Sequence, residues 1–213
     1  MKYIFNLFLS MKSGMFVTFY IFFITLVFSI ILGIVVALMR ISKIKIIRLV
    51  VSLYIFIMRG TPLLLQIIFV FFGLPIIGIT FERYTAVFIA FILNYAAYFA
   101  EIFRAGIQSI DRGQFEASKV LGLSRFDTYI YVIFPQMFKN ILPALANEVI
   151  TLVKDTALVY VVGIADVLRE GKIAVNRDAT LLPFIVVAIF YAGFIYILSS
   201  LFKNIEKRFE YYR

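Results

Sequence analysis

Seven polar residues lie where the chain is otherwise apolar enough to cross a membrane: Arg59, Thr61, Asn94, Tyr98, Glu101, Asp155 and Thr156. Polar and ionised groups are costly in hydrocarbon, so each needs a partner or a task. The 213 residues include no histidine and no cysteine, which excludes thiol chemistry, disulfides and the usual zinc ligand sets. What remains is recognition: a carboxylate for an ammonium, an amide and hydroxyls for hydrogen bonds. These residue types suit a path for a polar solute, not a reaction centre.

Asn94, Tyr98 and Glu101 recur at i, i+4 and i+7, one face of a helix. Counted from Tyr84, Asn94 lies ~15 Å and Glu101 ~25 Å along that helix. Asp155 and Thr156 lie roughly 12 Å before Gly163, at a depth similar to Asn94, near mid-bilayer. This depth assigns Asn94 and Asp155 to a substrate path. Glu101 sits nearer the cytoplasm, where pairing with Arg104 is the simpler reading. Gln66, Asn147 and Glu148 are attributed to hydrogen bonds between helices. The abundant phenylalanines and tyrosines are read as packing and lipid-facing groups.

The stretch Arg59-Gly60-Thr61-Pro62 must break a helix, because proline cannot donate and glycine tolerates almost any backbone. Thr61 as N-cap and Pro62 as first helical residue would restart it toward the membrane interior, offering a positive helix end to an anionic group. A kink with Arg59 snorkelling or paired to a neighbouring acid accounts for the same residues equally well.

The elements that must hold these groups follow from hydropathy. With 63% hydrophobic residues, 15% charged and a mean hydropathy of +1.02, the chain reads as one all-α membrane domain over residues 1–213. Met1–Ser10 is predicted as an interfacial helix. Five apolar runs follow: Met15–Met39, Leu49–Phe72, Tyr84–Phe103, about Ile141–Val162, and Leu181–Leu201. Gly163 to Thr180 reads as a polar connection, and a charged tail runs to Arg213. The net charge of +9 has no basic stripe or stacking module beside it, so nucleic acid is not expected as a partner. There is no internal repeat.

Between spans three and four, Arg104 to Pro135 keeps its charges and lacks any membrane-length apolar run. A short helix is predicted from Gln114 to Leu121, with Phe115, Val120 and Leu121 as its apolar contacts. Gly122 is placed as a left-handed C-cap. Ser124 and Asp127 carry the spacing of an N-terminal cap for a second helix, and Pro135 predicts a bend. Lys and Arg count thirteen on the side holding this loop against six on the other, with Arg59 and Lys154 inside spans. That asymmetry predicts the loop in the cytoplasm, the N-terminus outside and the C-terminus inside.

The same loop carries a resemblance. Glu116-Ala117-Ser118, Gly122 and Pro135 fall at the spacing of the cytoplasmic loop motif of ATP-binding-cassette importer permeases, E-A-A, three residues, G, nine residues, I-x-L-P. Ser118, Val132 and Phe134 depart mildly from it. Arg59-Gly60-Thr61-Pro62 to Gln66, Ala100 to Arg104, and Asn147-Glu148 to Lys154-Asp155-Thr156 extend the likeness over nearly the whole chain, which resembles the polar amino acid uptake branch. The resemblance implies a multi-pass permease of a bacterial cytoplasmic (inner) membrane. Its loop, through Gln114, Glu116, Ala117, Ser118, Leu121 and Gly122, would dock on a separate ATPase subunit. It also implies a second permease subunit, identical or related, an extracytoplasmic substrate-binding protein, and a polar, even basic, amino acid as cargo. No G-x-x-x-x-G-K-[ST] loop occurs in this sequence, so no nucleotide cofactor is expected in the chain and ATP falls to the partner. A self-contained ion-coupled carrier or channel, using Glu101 and Asp155 as cation sites, is the alternative; the capped cytoplasmic knuckle argues against it.

Overall fold

The computed structural model describes residues 2–209; Met1 and residues 210–213, the expected charged end at Arg213 among them, lie outside it. The described residues form helices joined by short connections. In order these are α1 (Lys2–Ser10), α2 (Lys12–Arg40), α3 (Lys45–Gly60), α4 (Leu63–Ile68), α5 (Arg83–Gln108), α6 (Arg112–Val120), α7 (Arg125–Asp127), α8 (Phe134–Asp155), α9 (Val167–Asp178) and α10 (Leu182–Phe209). Helices α2, α5 and α10 are each long and apolar enough to cross a membrane. Helix α3 and the segment Leu63–Ile77 are apolar enough together and are bent by 104° at the break between them. Helix α8 and the 3₁₀ turn Thr156–Val162 cover the fourth expected run, although among the described residues only three helices, or four spans with the bent pair, are apolar enough to cross by length and composition.

The spans hold together by close approach. Helices α2 and α5 pack along most of their length. A Cβ on Gly33 would stand 2.8 Å from the Cβ of Phe99, and α5 presents Ala86, Ala90, Ala97 and Ala100 as buried residues. Small residues let backbones approach where lipid supplies no hydrophobic drive between helices. Gly106 does the same toward α8, where a Cβ would overlap Ile141. A second, smaller core at the other end joins Leu7, Met11 and Met15 to Val167, Ala174, Val186 and Val187.

Two prolines leave the same mark. A π-helical turn, Phe69–Gly73, precedes Pro75, and another, Thr128–Ile133, precedes Pro135. Each proline lacks the N–H that would bond four residues back, and its ring crowds that carbonyl; a wider turn relieves both. At Pro135 the expected bend is therefore a π turn inside a nearly continuous helix from Arg125 to Asp155.

The connection Gly163 to Thr180 is not a bare loop, since it contains α9. Its cap is Asp166, whose carboxylate accepts from the backbone N–H of Leu168 at 3.2 Å and Arg169 at 3.1 Å. The Val167 N–H donates to Thr18 Oγ1 at 3.3 Å, and the Tyr191 hydroxyl reaches Asp166 at 3.5 Å. Asp166 is fully buried, and burial raises its pKa from 3.8 to about 6. Between those values the folded protein holds a proton that the unfolded chain has released, so stability falls as pH rises through the window. Asp178 at the far end of α9, held down to about 2 by Arg177 and Tyr3, does not titrate there. The thermal midpoint is therefore expected to rise when pH is lowered from 7 to 5. Asp166→Asn keeps a cap acceptor without the charge and should flatten that dependence; an unchanged slope would assign it to another group.

Candidate functional site

Three elements converge on one polar trough. The end of α3 and its break contribute Arg59, Gly60, Thr61 and Pro62; α5 contributes Asn94, Tyr95 and Tyr98; α8 contributes Glu148, Thr151 and Asp155. Residues 148, 151 and 155 share one face of α8, as 95 and 98 do on α5. The cavity they enclose has a volume of about 350 Å³. It adjoins a second of about 610 Å³, which shares Arg59, Tyr98 and Glu148 and runs past Glu101 and Arg104 to Ser109 and Asn140. The trough thus leads from Asp155 toward the end of α5 that carries the α6 loop.

Asp155 Oδ2 accepts from the Tyr95 hydroxyl at 2.7 Å, and among the described residues it has no cationic partner within 4.0 Å. The Arg59 guanidinium lies over the Tyr98 ring, 5.0 Å from its centroid, and pairs with no carboxylate among the described residues. Glu148, half-buried, lies near both Arg59 and Asp155. One guanidinium and two carboxylates therefore face a cavity without closing on one another. Left so at low dielectric, they favour a ligand carrying both signs of charge.

Glu101 is different. Arg104 grips it with two bonds, Nε at 3.0 Å and Nη2 at 2.7 Å, and Arg40 approaches to 3.9 Å. The pairing with Arg104 is the one read from its depth, and Glu101 also lines the adjoining cavity. Asn94 lines the cavity, but its amide nitrogen donates to Met58 O at 2.8 Å and to Gln66 Oε1 at 3.1 Å. Gln66 in turn donates to Met58 O, Thr61 O and Thr61 Oγ1. These two amides satisfy carbonyls freed by the break, and the Asn94–Gln66 bond also joins two helices.

Two expectations about the path need correction. Thr61 does not cap the restarted helix: its hydroxyl donates back to Ile57 O at 2.8 Å, ending α3, while Pro62 stands at the N-cap of α4. Pro62 is itself extended, with φ −61 and ψ 135, so the helix restarts one residue late. Thr156 does not join Asp155 at the cavity. The chain tightens into a 3₁₀ turn over Thr156–Val162, and its buried hydroxyl bonds Val153 O at 2.6 Å, on the side facing Tyr191. Tyr95 and Thr151 were missed. Tyr95 shares an i, i+3 face with Tyr98, a signal masked by reading aromatics as packing.

The α6 loop matches its expected cap. Gly122 has φ +74; Leu123 N bonds Ser118 O at 3.0 Å and Gly122 N bonds Lys119 O at 3.1 Å. This is the paired C-cap that left-handed glycine permits. The helix begins earlier than read, because the Asp111 side chain accepts from Gly113 N. Ser124 Oγ accepts from Asp127 N at 3.1 Å, the predicted cap. Phe115 packs inward against Tyr129, but Val120 and Leu121 are 87% and 77% exposed. They are presented outward with Gln114, Glu116 and Ala117, while Ser118 is buried and bonds Gln114 O at 2.7 Å.

Comparison with known proteins follows the same lines. The family described as "Binding-protein-dependent transport system inner membrane component" matches residues 29–211. The arginine transport system permease protein ArtQ of Bacillus subtilis is 38% identical over 93% of this chain and 91% of its own. A putative glutamine transport system permease protein, GlnP of Rickettsia conorii, is 37% identical over 87% and 86%. A crystal structure of an amino acid ABC transporter with histidines superposes with a TM-score of 0.86 at 40% identity, covering 97% of this chain and 95% of that one. The MetNI methionine ABC transporter, at 19% identity and a TM-score of 0.74, shares the fold.

Proposed function

This chain belongs to the family of binding-protein-dependent transport system inner membrane components, and we propose that it forms the amino acid path of an ATP-driven importer with the polar trough as its substrate site. It is a multi-pass inner-membrane permease subunit, and ATP hydrolysis belongs to a separate subunit. The observation that carries the site is the cavity bordered by Arg59, Glu148 and Asp155, whose charges are not closed on one another.

A zwitterionic amino acid leaving water needs partners for both charges. Arg59 receives the α-carboxylate and Asp155 the α-ammonium, with Asn94, Tyr98 and Thr61 on the walls. Glu148 is then left for the side chain, which favours a basic amino acid. Glu101 stays with Arg104. The trough opens along one side of the chain, so a second permease, identical or related, closes it. An extracytoplasmic binding protein delivers the cargo, and an ATPase subunit docks on α6 through the face holding Glu116, Ala117, Leu121 and Gly122. The self-contained carrier has no use for that exposed capped helix.

Substrate choice is tested by stimulated ATP hydrolysis in proteoliposomes containing the whole importer, scanned over amino acids. Arginine or lysine should stimulate best, and Glu148→Gln should lower their apparent affinity about tenfold or more while leaving a neutral amino acid little changed. Equal loss for neutral and cationic amino acids would contradict the role given to Glu148. The charge asymmetry supports a loop in the cytoplasm, with the N-terminus outside and the C-terminus inside. Since the sequence has no cysteine, labelling of Ser109→Cys by an impermeant thiol reagent in intact cells would reverse that orientation.

A further inference from the structure

On the side of α5 away from the trough lies a third cavity of a different kind. It holds about 310 Å³ and is lined by apolar side chains and Tyr129, among them Ile34 and Leu38 of α2, Phe103 of α5, and Ile130, Phe134 and Phe138 of the π turn and α8. Phe103 lies two residues from Glu101, which lines the trough, so the two cavities face opposite directions from one helix. A second permease closing the trough therefore leaves this groove open. The walls from α2 and α5 belong to membrane-spanning helices, the π turn closes the groove at their loop end, and Ile34, Leu38, Ile130 and Phe134 are each about half exposed. In such a place the available cover is an acyl chain.

Charge at the rim specifies more. Phe138, one wall of the groove, packs on Phe209 with ring centroids 5.2 Å apart. That contact brings the last turn of α10, with exposed Lys207 and Arg208, to the groove's end. A basic rim beside an apolar slot matches an anionic headgroup above a tail.

We infer that this groove binds one acyl chain of an anionic diacyl phospholipid, with the headgroup held at Lys207 and Arg208. The site lies directly against the π turn Thr128–Ile133, which links the α6 loop to α8. A bound lipid thus touches an element that, with α7, connects the ATPase-docking loop to the substrate-lining helix.

The test is native mass spectrometry of the assembled importer released from nanodiscs of equal phosphatidylglycerol and phosphatidylcholine. The wild-type protein should retain phosphatidylglycerol in about tenfold excess. Lys207→Glu with Arg208→Glu should bring that ratio near one. Ile34→Trp, which places an indole in the groove, should reduce retention of both lipids. Equal lipid retention by wild type and Ile34→Trp overturns the proposal, as does an unchanged ratio in the charge variant. The charge variant alters exposed side chains only and decides the matter if Ile34→Trp fails to assemble. Ile130→Cys reports the competing occupant: a disulfide-linked pair of permease chains through that position would assign the groove to a second copy.

Discussion

Asp155→Asn is expected to weaken amino acid transport ten- to a hundredfold in apparent affinity while the complex still assembles. The substitution keeps size and retains an oxygen for the Tyr95 hydroxyl, now 2.7 Å from the carboxylate. What it removes is the charge facing the cavity. A charge-assisted hydrogen bond to an ammonium contributes roughly 1.5–3 kcal/mol, which sets the expected range. Glu101→Gln is the comparison, because Glu101 is already held by Arg104 at 2.7 Å. It should change affinity less, and its effect should fall on stability near α2, where Arg40 also approaches. The measurement is uptake into ATP-loaded proteoliposomes, with basal ATPase as the control for assembly. Wild-type affinity and rate in Asp155→Asn would make Asp155 a structural partner of Tyr95.

The second large effect belongs to the loop. Gly122→Val should abolish most substrate-stimulated ATP hydrolysis while the protein still inserts. A Cβ at residue 122 would meet nothing within 4 Å, so the cost is not a clash. It is the backbone, at φ +74, where a β-branched residue is strained by about 1–3 kcal/mol. The two capping bonds from Gly122 and Leu123 depend on that conformation, and with them the aim of Val120 and Leu121. Glu116→Lys, reversing an exposed charge beside the same face, should weaken docking of the ATPase without touching the cap. Normal stimulation in both variants would remove the loop from coupling.

The parts that were legible in the sequence share a reason. Gly122, Ser124 and Asp127 are capping residues whose geometry is local, so spacing alone placed them. The five apolar runs were visible because a membrane imposes length and composition on each. The Glu101–Arg104 pair was legible because the two lie three residues apart on one helix near its interface end, and the Gln66–Asn94 bond is a hydrogen bond between helices of the kind read for Gln66. The errors are tertiary or one residue wide. Thr156 follows Asp155, and a 3₁₀ turn beginning there rotates it away from the cavity. Thr61 lost the cap because Pro62 is itself extended, with ψ 135, and the Thr61 hydroxyl turns back to Ile57 O. Tyr95 was hidden among packing aromatics, and Glu148 among interhelical bonds; only the approach of α8 to α5 turns both toward the trough. Helix α9 was passed over as a polar connection, although Asp166 ahead of Val167 and Leu168 was a usable start signal.

The central claim is that this chain moves an amino acid only as part of an ATP-driven complex. The direct measurement is uptake of labelled arginine by proteoliposomes containing the permease, its ATPase subunit and external binding protein, with or without ATP inside. The account predicts accumulation that requires internal ATP and the ATPase subunit, and that is lost with Asp155→Asn. Accumulation by the permease chain alone, driven by a proton or sodium gradient and indifferent to ATP, would contradict it.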